Sequence, residues 1–309
     1  MTDSLRRMSR LYLPMLISLA AIWGASFMFI KVADRELEPT TLMFGRTLLA
    51  ALLLFAFLVT RMGAREAGAR LRRSGLAPFA LGVVTAALPF TLIAWGEKHV
   101  DSGVAAIANA SMPIFVALLA LRFRHSERSS GLRLVGIVVG LAGVAVLAGV
   151  NPRGGWWAVL GTLAVVLASI AYAVGSLWAQ HLVERESALV ITTASLIGAA
   201  LALLPFGLAQ LPDSMPGWKA IGSVVALGVA GTAVGQLIYY RMIETDGSAR
   251  TSLVTYLLPV TALFYGAGLL GEPITIEEIL GLALILVGVA FGSGLVRTVR
   301  RRAPAPAPQ

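Results

Sequence analysis

Residues 103–145 read GVAAIANASMPIFVALLALRFRHSERSSGLRLVGIVVGLAGVA, and residues 249–290 read ARTSLVTYLLPVTALFYGAGLLGEPITIEEILGLALILVGVA. Pro113 in the first stretch matches Pro259 in the second. Glu127 matches Glu272 after a one-residue gap, and nine residues later Gly136 matches Gly281. Gly143 then matches Gly288, each followed by Val-Ala. Both stretches consist of a long apolar run, a short polar joint and a second apolar run rich in glycine. The runs are continuous rather than alternating, so they read as helices and not as barrel strands. One unit occurs twice in this chain.

The same apolar texture extends outward from this pair. Of 309 residues, 57% are hydrophobic and 13% are charged, and the mean hydropathy is +0.82. A soluble domain carries about 25% charged residues, because its surface must face water. Half that fraction leaves too little polar surface to coat a soluble particle of this length. The composition therefore excludes a water-soluble enzyme and a disordered chain. With no cysteine in the sequence, it also excludes a disulfide-stapled scaffold.

A bilayer core of about 30 Å needs roughly 20 apolar residues per helix. Ten stretches answer to that description, near 12–31, 41–60, 77–96, 103–122, 134–150, 157–178, 188–209, 220–241, 252–270 and 279–296. They are numbered spans 1 to 10 below. The expected fold is all-α: a polytopic membrane protein of ten transmembrane helices joined by short loops.

The N-terminal stretch, with Arg6, Arg7 and Arg10 ahead of an apolar run, has the look of a signal peptide. Its apolar run continues to Ile30, too long for a cleaved segment, and reads as a retained first span. Lys and Arg fix the expected orientation. Nineteen lie in the segments on the side of the N-terminus, five lie on the other side, and Arg46 lies inside span 2. This split places both termini in the cytoplasm. The formal net charge of +9 therefore reflects loop anchors facing anionic headgroups, not a nucleic-acid surface. Residues 297–309, which end in APAPAPQ, read as a basic, proline-rich cytoplasmic tail.

The first helices of the two halves also correspond, with Trp23-Gly24 against Tyr172-Ala173. Residues 11–150, spans 1–5, and residues 155–296, spans 6–10, are thus two copies of one unit. Five is odd, so the second copy must enter the membrane from the opposite side. Inverted repeats can adopt each other's tilt, giving inward-open and outward-open states of similar energy, which is what alternating access requires.

Trp23-Gly24, Arg46, Pro113 and Pro259, the Glu127 and Glu272 loop motifs and the Gly-rich fifth and tenth helices together resemble the EamA-type drug/metabolite transporter superfamily. The resemblance covers about residues 12–296 and lies nearest the aromatic amino-acid exporter branch. It implies a ten-helix, multi-pass transporter of the bacterial inner membrane, exporting amino acids or related metabolites.

Candidate binding residues follow from the residues inside the spans. Arg46 lies about six residues inside span 2, roughly 9 Å along the axis. Two readings stand: a guanidinium that snorkels to the headgroups, or one that faces a cavity and attracts a substrate carboxylate. Lys31 reads as an interfacial anchor. Span 1 places Trp23, Ser26, Phe27 and Ile30 at i, i+3, i+4 and i+7, hence on one face. Tyr172 and Ser176 open a comparable face. Span 8 carries Thr232, Gln236, Tyr239 and Tyr240 on one stripe.

Each mid-span proline removes an N–H and frees the carbonyl four residues back, namely those of Asn109 and Thr255. In lipid such groups need a protein partner or a water-lined cavity. Either a neighbouring helix or a ligand could serve them, and Tyr256 stands beside Thr255. Pro89 in span 3 is a third kink position, with no proline mate, since an offset of 146 lands on Gly235. Gly136-x-x-x-Gly140 and Gly288-x-x-x-Gly292 permit close helix packing, either within one chain or in a homodimer.

An aromatic and neutral-polar cavity favours planar or amphipathic solutes and a cationic nitrogen. The expected substrate is therefore an amino acid, aromatic ones first, with other metabolites or amphipathic drugs as the alternative. No Asp or Glu falls in mid-span; Glu97, Asp101, Glu244 and Asp246 read as solvated helix ends. Export without a buried proton carrier is expected. An intramembrane enzyme would need a nucleophile with a base, or a metal site, at depth, and no His or Cys lies in a span. No cofactor and no metal are expected, and a non-transporting sensor is a remote alternative.

Overall fold

The computed structural model describes residues 11–123, 131–149, 155–246, 251 and 253–292. All regular structure among these residues is helical. Spans 1 and 2 are Tyr12–Ala33 and Pro39–Met62, and span 3 is Ala77–Glu97. Span 4 comes in two pieces, Ser102–Asn109 and Met112–Phe123. Spans 5, 6 and 7 are Gly131–Gly149, Gly155–Val183 and Ala188–Ala209. Span 8 stacks Trp218–Ala226, Leu227–Val234 and Gly235–Asp246. Span 9 is Val254–Leu270 and span 10 is Ile276–Gly292.

Among the described residues seven spans, 1–4 and 6–8, are long and apolar enough to cross a bilayer by length and composition alone, and spans 9 and 10 have 17 residues each. Glu127, the N-terminal arginines and the tail at 297–309 lie outside the described residues.

Packing follows the repeat. Span 1 lies against spans 8 and 9, and its mate, span 6, lies against spans 3 and 4. Span 2 packs on spans 7 and 8, span 7 packs on spans 2 and 3, and spans 5 and 10 pair with each other. Exchanging the two halves reproduces this pattern. The protein is an all-α polytopic bundle of two inverted five-helix repeats. Successive spans run in opposite directions, so the start of span 1 and the ends of spans 2 and 4 share one face. This is called the basic face; the end of span 1 lies on the opposite face.

Glycine sets the closest contact. Spans 5 and 10 meet where Gly140 faces Gly288, and a Cβ added to Gly288 would lie 2.4 Å from the Gly140 Cα. The glycine seam therefore works inside the monomer. Similarly, a Cβ on Gly24 would lie 2.0 Å from Thr261 Oγ1 of span 9, whose hydroxyl donates to the Ala20 carbonyl at 2.9 Å. That approach explains the small residue after Trp23.

The bundle departs from the sequence reading in two local ways. The stretch 61–74, read as a loop, contains a helix, Ala64–Arg73. Ala67 and Leu71, one turn apart, are buried against Leu58, Val190 and Ala194, while Arg70 reaches Glu66 and Glu186 at 3.4 and 3.5 Å. Spans 3, 8 and 9 also widen into π turns, at Val83–Ala87, Leu227–Val234 and Gly266–Leu270. The extra residue of a π turn accommodates a missing N–H and a displaced carbonyl, and Pro89 follows the first such turn directly. Gly235 follows the second. The break is common to both halves although the proline is not.

Candidate functional site

Two groups of side chains meet in the bundle centre. The first surrounds Arg46. Its side chain is 6% exposed, so it does not snorkel. Nε donates to Thr232 Oγ1 of span 8 at 2.9 Å, and the guanidinium carbon lies 3.9 Å from the centroid of the Phe90 ring. Phe90 meets Tyr172 edge to face, with centroids 6.4 Å apart. Four spans thus converge on one cation. Among the described residues none accepts a hydrogen bond from either Arg46 Nη.

The second group surrounds Trp23. Tyr239 lies 5.5 Å from it, ring to ring, and meets Tyr240 at 5.9 Å. Tyr240 shares a hydrogen bond with Thr192 of span 7. The backbone at Gly235 touches the Trp23 indole; a Cβ there would lie 2.5 Å from Nε1. Span 8 connects the groups, because Thr232, half-buried Gln236 and Tyr239 follow one another around a single helical stripe. The repeat relates them too. Trp23 corresponds to Tyr172, and an offset of 146 takes Phe90 to Gln236.

The remaining sequence candidates are placed as follows. Ser26 is buried, bonds its own helix at Ile22 and faces a shallow crevice with Ala230 and Gly231 rather than the Trp23 rings. Pro113 opens the second piece of span 4, and the chain turns through Ala110 and Ser111 before it. The released Asn109 carbonyl has a neighbouring helix within reach: Ser169 Oγ of span 6 lies 3.3 Å from it, although that single hydroxyl is closer, at 3.1 Å, to the Val165 carbonyl of its own helix. Pro259 stays inside an unbroken helix, Val254–Tyr265. Thr255 and Tyr256 are half-buried there, Tyr256 against the main core.

Phe90 and Ser169 were not candidates in the sequence reading. Only Phe90 carried a signal, as the neighbour of Pro89 and the repeat mate of Gln236.

Two expectations at the opposite face are corrected. Glu97 is not a solvated helix end: its side chain has no exposure and neither carboxylate oxygen has a hydrogen-bond partner among the described residues. Span 3 ends beside span 1 and against span 6, whose Gly161 and Val165 meet Gly96, which keeps water from it. Lys31 is not a lipid anchor. Its ammonium donates to the carbonyls of Glu97 and, at 2.7 Å, Val100, tying span 1 to the end of span 3. Beside it, the Glu272 carboxylate accepts from Ser102 N at 3.1 Å and from its hydroxyl, capping the helix that starts span 4.

The sequence and the fold both have relatives. The EamA-like transporter family matches the chain twice, over residues 10–149 and 159–293. An uncharacterized transporter of Archaeoglobus fulgidus is 29% identical over 272 residues, covering 86% of this chain and 93% of that protein. The uncharacterized inner membrane transporter YedA of Escherichia coli K12 is 29% identical over 290 residues, covering 89% and 88%. A probable amino-acid metabolite efflux pump of Salmonella typhimurium is 25% identical over 292 residues, covering 90% and 94%. One crystal structure at 18% identity superposes with a TM-score of 0.64, covering 93% of this chain and 97% of that one, which speaks for the fold. With nearly every described residue inside one of the two matched segments, this chain is a membrane transporter and belongs to the EamA-like transporter family.

Proposed function

We propose that the protein exports amino acids, aromatic ones foremost, across the bacterial inner membrane by alternating access, with the basic face and both termini in the cytoplasm. Residues 11–150 and 155–296 are the two units that rock against each other. The observation that carries the reading is Arg46: a cation buried between four spans, with both Nη groups left to a ligand, beside Phe90 and Tyr172, while Trp23 and Tyr239 stand about two turns further along span 8. A guanidinium held in this way binds a carboxylate with direction as well as charge. Aromatic walls supply stacking for a planar side chain and a face for an ammonium. One site then holds both ends of a zwitterion.

The closing of the opposite face, at Glu97, Ser102 and Lys31, supports a state in which the site is turned toward the cytoplasmic side. Trp23, Tyr172, Gln236 and Tyr239 remain half-buried rather than sealed.

Counterflow in proteoliposomes, screened across the amino acids, tests this reading. Aromatic amino acids should exchange fastest, with exchange reduced in Trp23→Ala and Gln236→Ala. Normal exchange in both variants removes the site assignment, and exchange of amphipathic cations in preference to zwitterions replaces the substrate class.

A further inference from the structure

We propose that Glu97 and Asp34 form a proton-binding site that latches the outer half of the transporter shut, taking its proton from the outer solution and returning it there. The proposal rests on the alternating-access reading, with the face opposite the basic one outside. It starts from geometry. Both carboxylate oxygens of Glu97 and both of Asp34 are buried without a hydrogen-bond partner among the described residues. An ionised carboxylate out of water is costly unless cations or N–H groups solvate it.

None of the surrounding cations donates a hydrogen bond to either carboxylate. Lys31 serves two backbone carbonyls. Lys98 pairs with Glu38 at 2.7 Å. Arg46 gives Nε to Thr232 and its face to Phe90. The groups whose charge reaches Glu97 are Asp34, Lys31, Glu272 and Arg46, and those reaching Asp34 are Lys98, Lys31 and Glu38. Three cations thus stand among four carboxylates, and one proton balances them. Asp34, in the connection after span 1, is pushed up to about 8, chiefly by burial; Lys98 and Lys31 pull against that and Glu38 adds to it.

The consequence is directional. When the outer half opens, water reaches the pair, the carboxyl O–H bond breaks, the proton passes to the outer solution and the carboxylate is hydrated. Closing reverses each step. Span 3 places Glu97 about 30 Å along the helix from its start on the basic face, so the proton has no exit to the cytoplasm. Opening is therefore linked to outer pH, yet no proton crosses with the substrate. The outward-open population should rise about tenfold per pH unit while the closed state holds the proton and the open state does not.

The test needs no substrate, so it stands apart from the counterflow screen. The chain has no cysteine, and Ala105 in the outer half of span 4 is fully buried. An A105C protein in proteoliposomes is labelled from outside with an impermeant maleimide, with and without E97Q. The ratio of the two rates cancels the ionisation of the thiol itself. The ratio should climb with outer pH by about tenfold per unit, and D34N should displace that rise to lower pH. Should E97Q fail to fold, the displacement in D34N decides alone. A ratio that is flat with pH, a D34N profile that does not move, or proton flux accompanying substrate exchange overturns the proposal.

Discussion

The two repeats share one packing pattern but not one chemistry. Offsets of 149 for spans 1 and 2 and 146 for span 3 take Lys31 to Gln180, Asp34 to Val183, Arg46 to Ser195 and Glu97 to Ile243. Every one of these charged residues in the first half faces a neutral mate in the second. Backbone features transfer instead: both halves carry a π turn at corresponding places, and both have an aromatic residue where Trp23 and Tyr172 stand. Symmetry of shape is what two states of similar energy require. Charge at these four positions of one half only gives the bundle a polarity that shape alone cannot supply.

The contrast can be broken where it is largest. Arg46→Gln should lower exchange of the preferred amino acid about 100-fold, or ~2.7 kcal/mol, because a charged hydrogen-bond partner of the carboxylate is lost. Changing its mate, Ser195→Ala, removes one hydrogen bond to the Pro78 carbonyl and should cost stability by ~1 kcal/mol while leaving substrate affinity unchanged. Equal losses of affinity in the two variants would erase the distinction.

Shape comes next. Gly24→Val drives a branched side chain into Thr261 and should destabilise the bundle by ~1–3 kcal/mol, read from thermal unfolding in detergent. Its mate position already carries Ala173, so Ala173→Gly should stay within ~1 kcal/mol. Smaller still is the cap. Glu272→Gln keeps a carbonyl for Ser102 but loses the charge at a helix N-terminus, a cost of ~0.5–1 kcal/mol that should shrink in high salt if it is electrostatic.

The last expected effect concerns the pH dependence of stability. The folded chain holds the Asp34 proton up to about pH 8, whereas an unfolded Asp gives it up near 4. The folded state therefore binds more protons between those values, and stability falls as pH rises through that window and levels off above it. Asp34→Asn should flatten that slope. A slope of the opposite sign would mean that the carboxylate is ionised in the fold.

Much of this was legible in the residues. Ten apolar runs, the Pro113–Pro259 and Gly143–Gly288 pairs and the Trp23–Tyr172 correspondence led to the fold, because membrane helices are dictated by local composition and the repeat by order. Arg46 and the stripe through Thr232, Gln236 and Tyr239 were visible as polar groups at expensive depth. What joins them was not. Phe90 beneath Arg46 and Ser169 beneath Asn109 are contacts between distant spans, settled by packing rather than by periodicity. Glu97 misled for the same reason. At the end of an apolar run a carboxylate reads as hydrated, and only the approach of spans 1 and 6 shows that it is dry. The helix at Ala64–Arg73 was masked by its arginines, with Ala67 and Leu71 too short an apolar face to stand out.

Spans 5 and 10 carry a consequence of their own. Where Gly140 meets Gly288 the two main chains come close with no side chain between them, so this point of the pair has little to repack. Under the proposed alternating access it can serve as an axle about which the rest of the bundle turns. An axle of this kind contributes rigidity without preference, and the bias between the two end points must then be written in the groups at the rim.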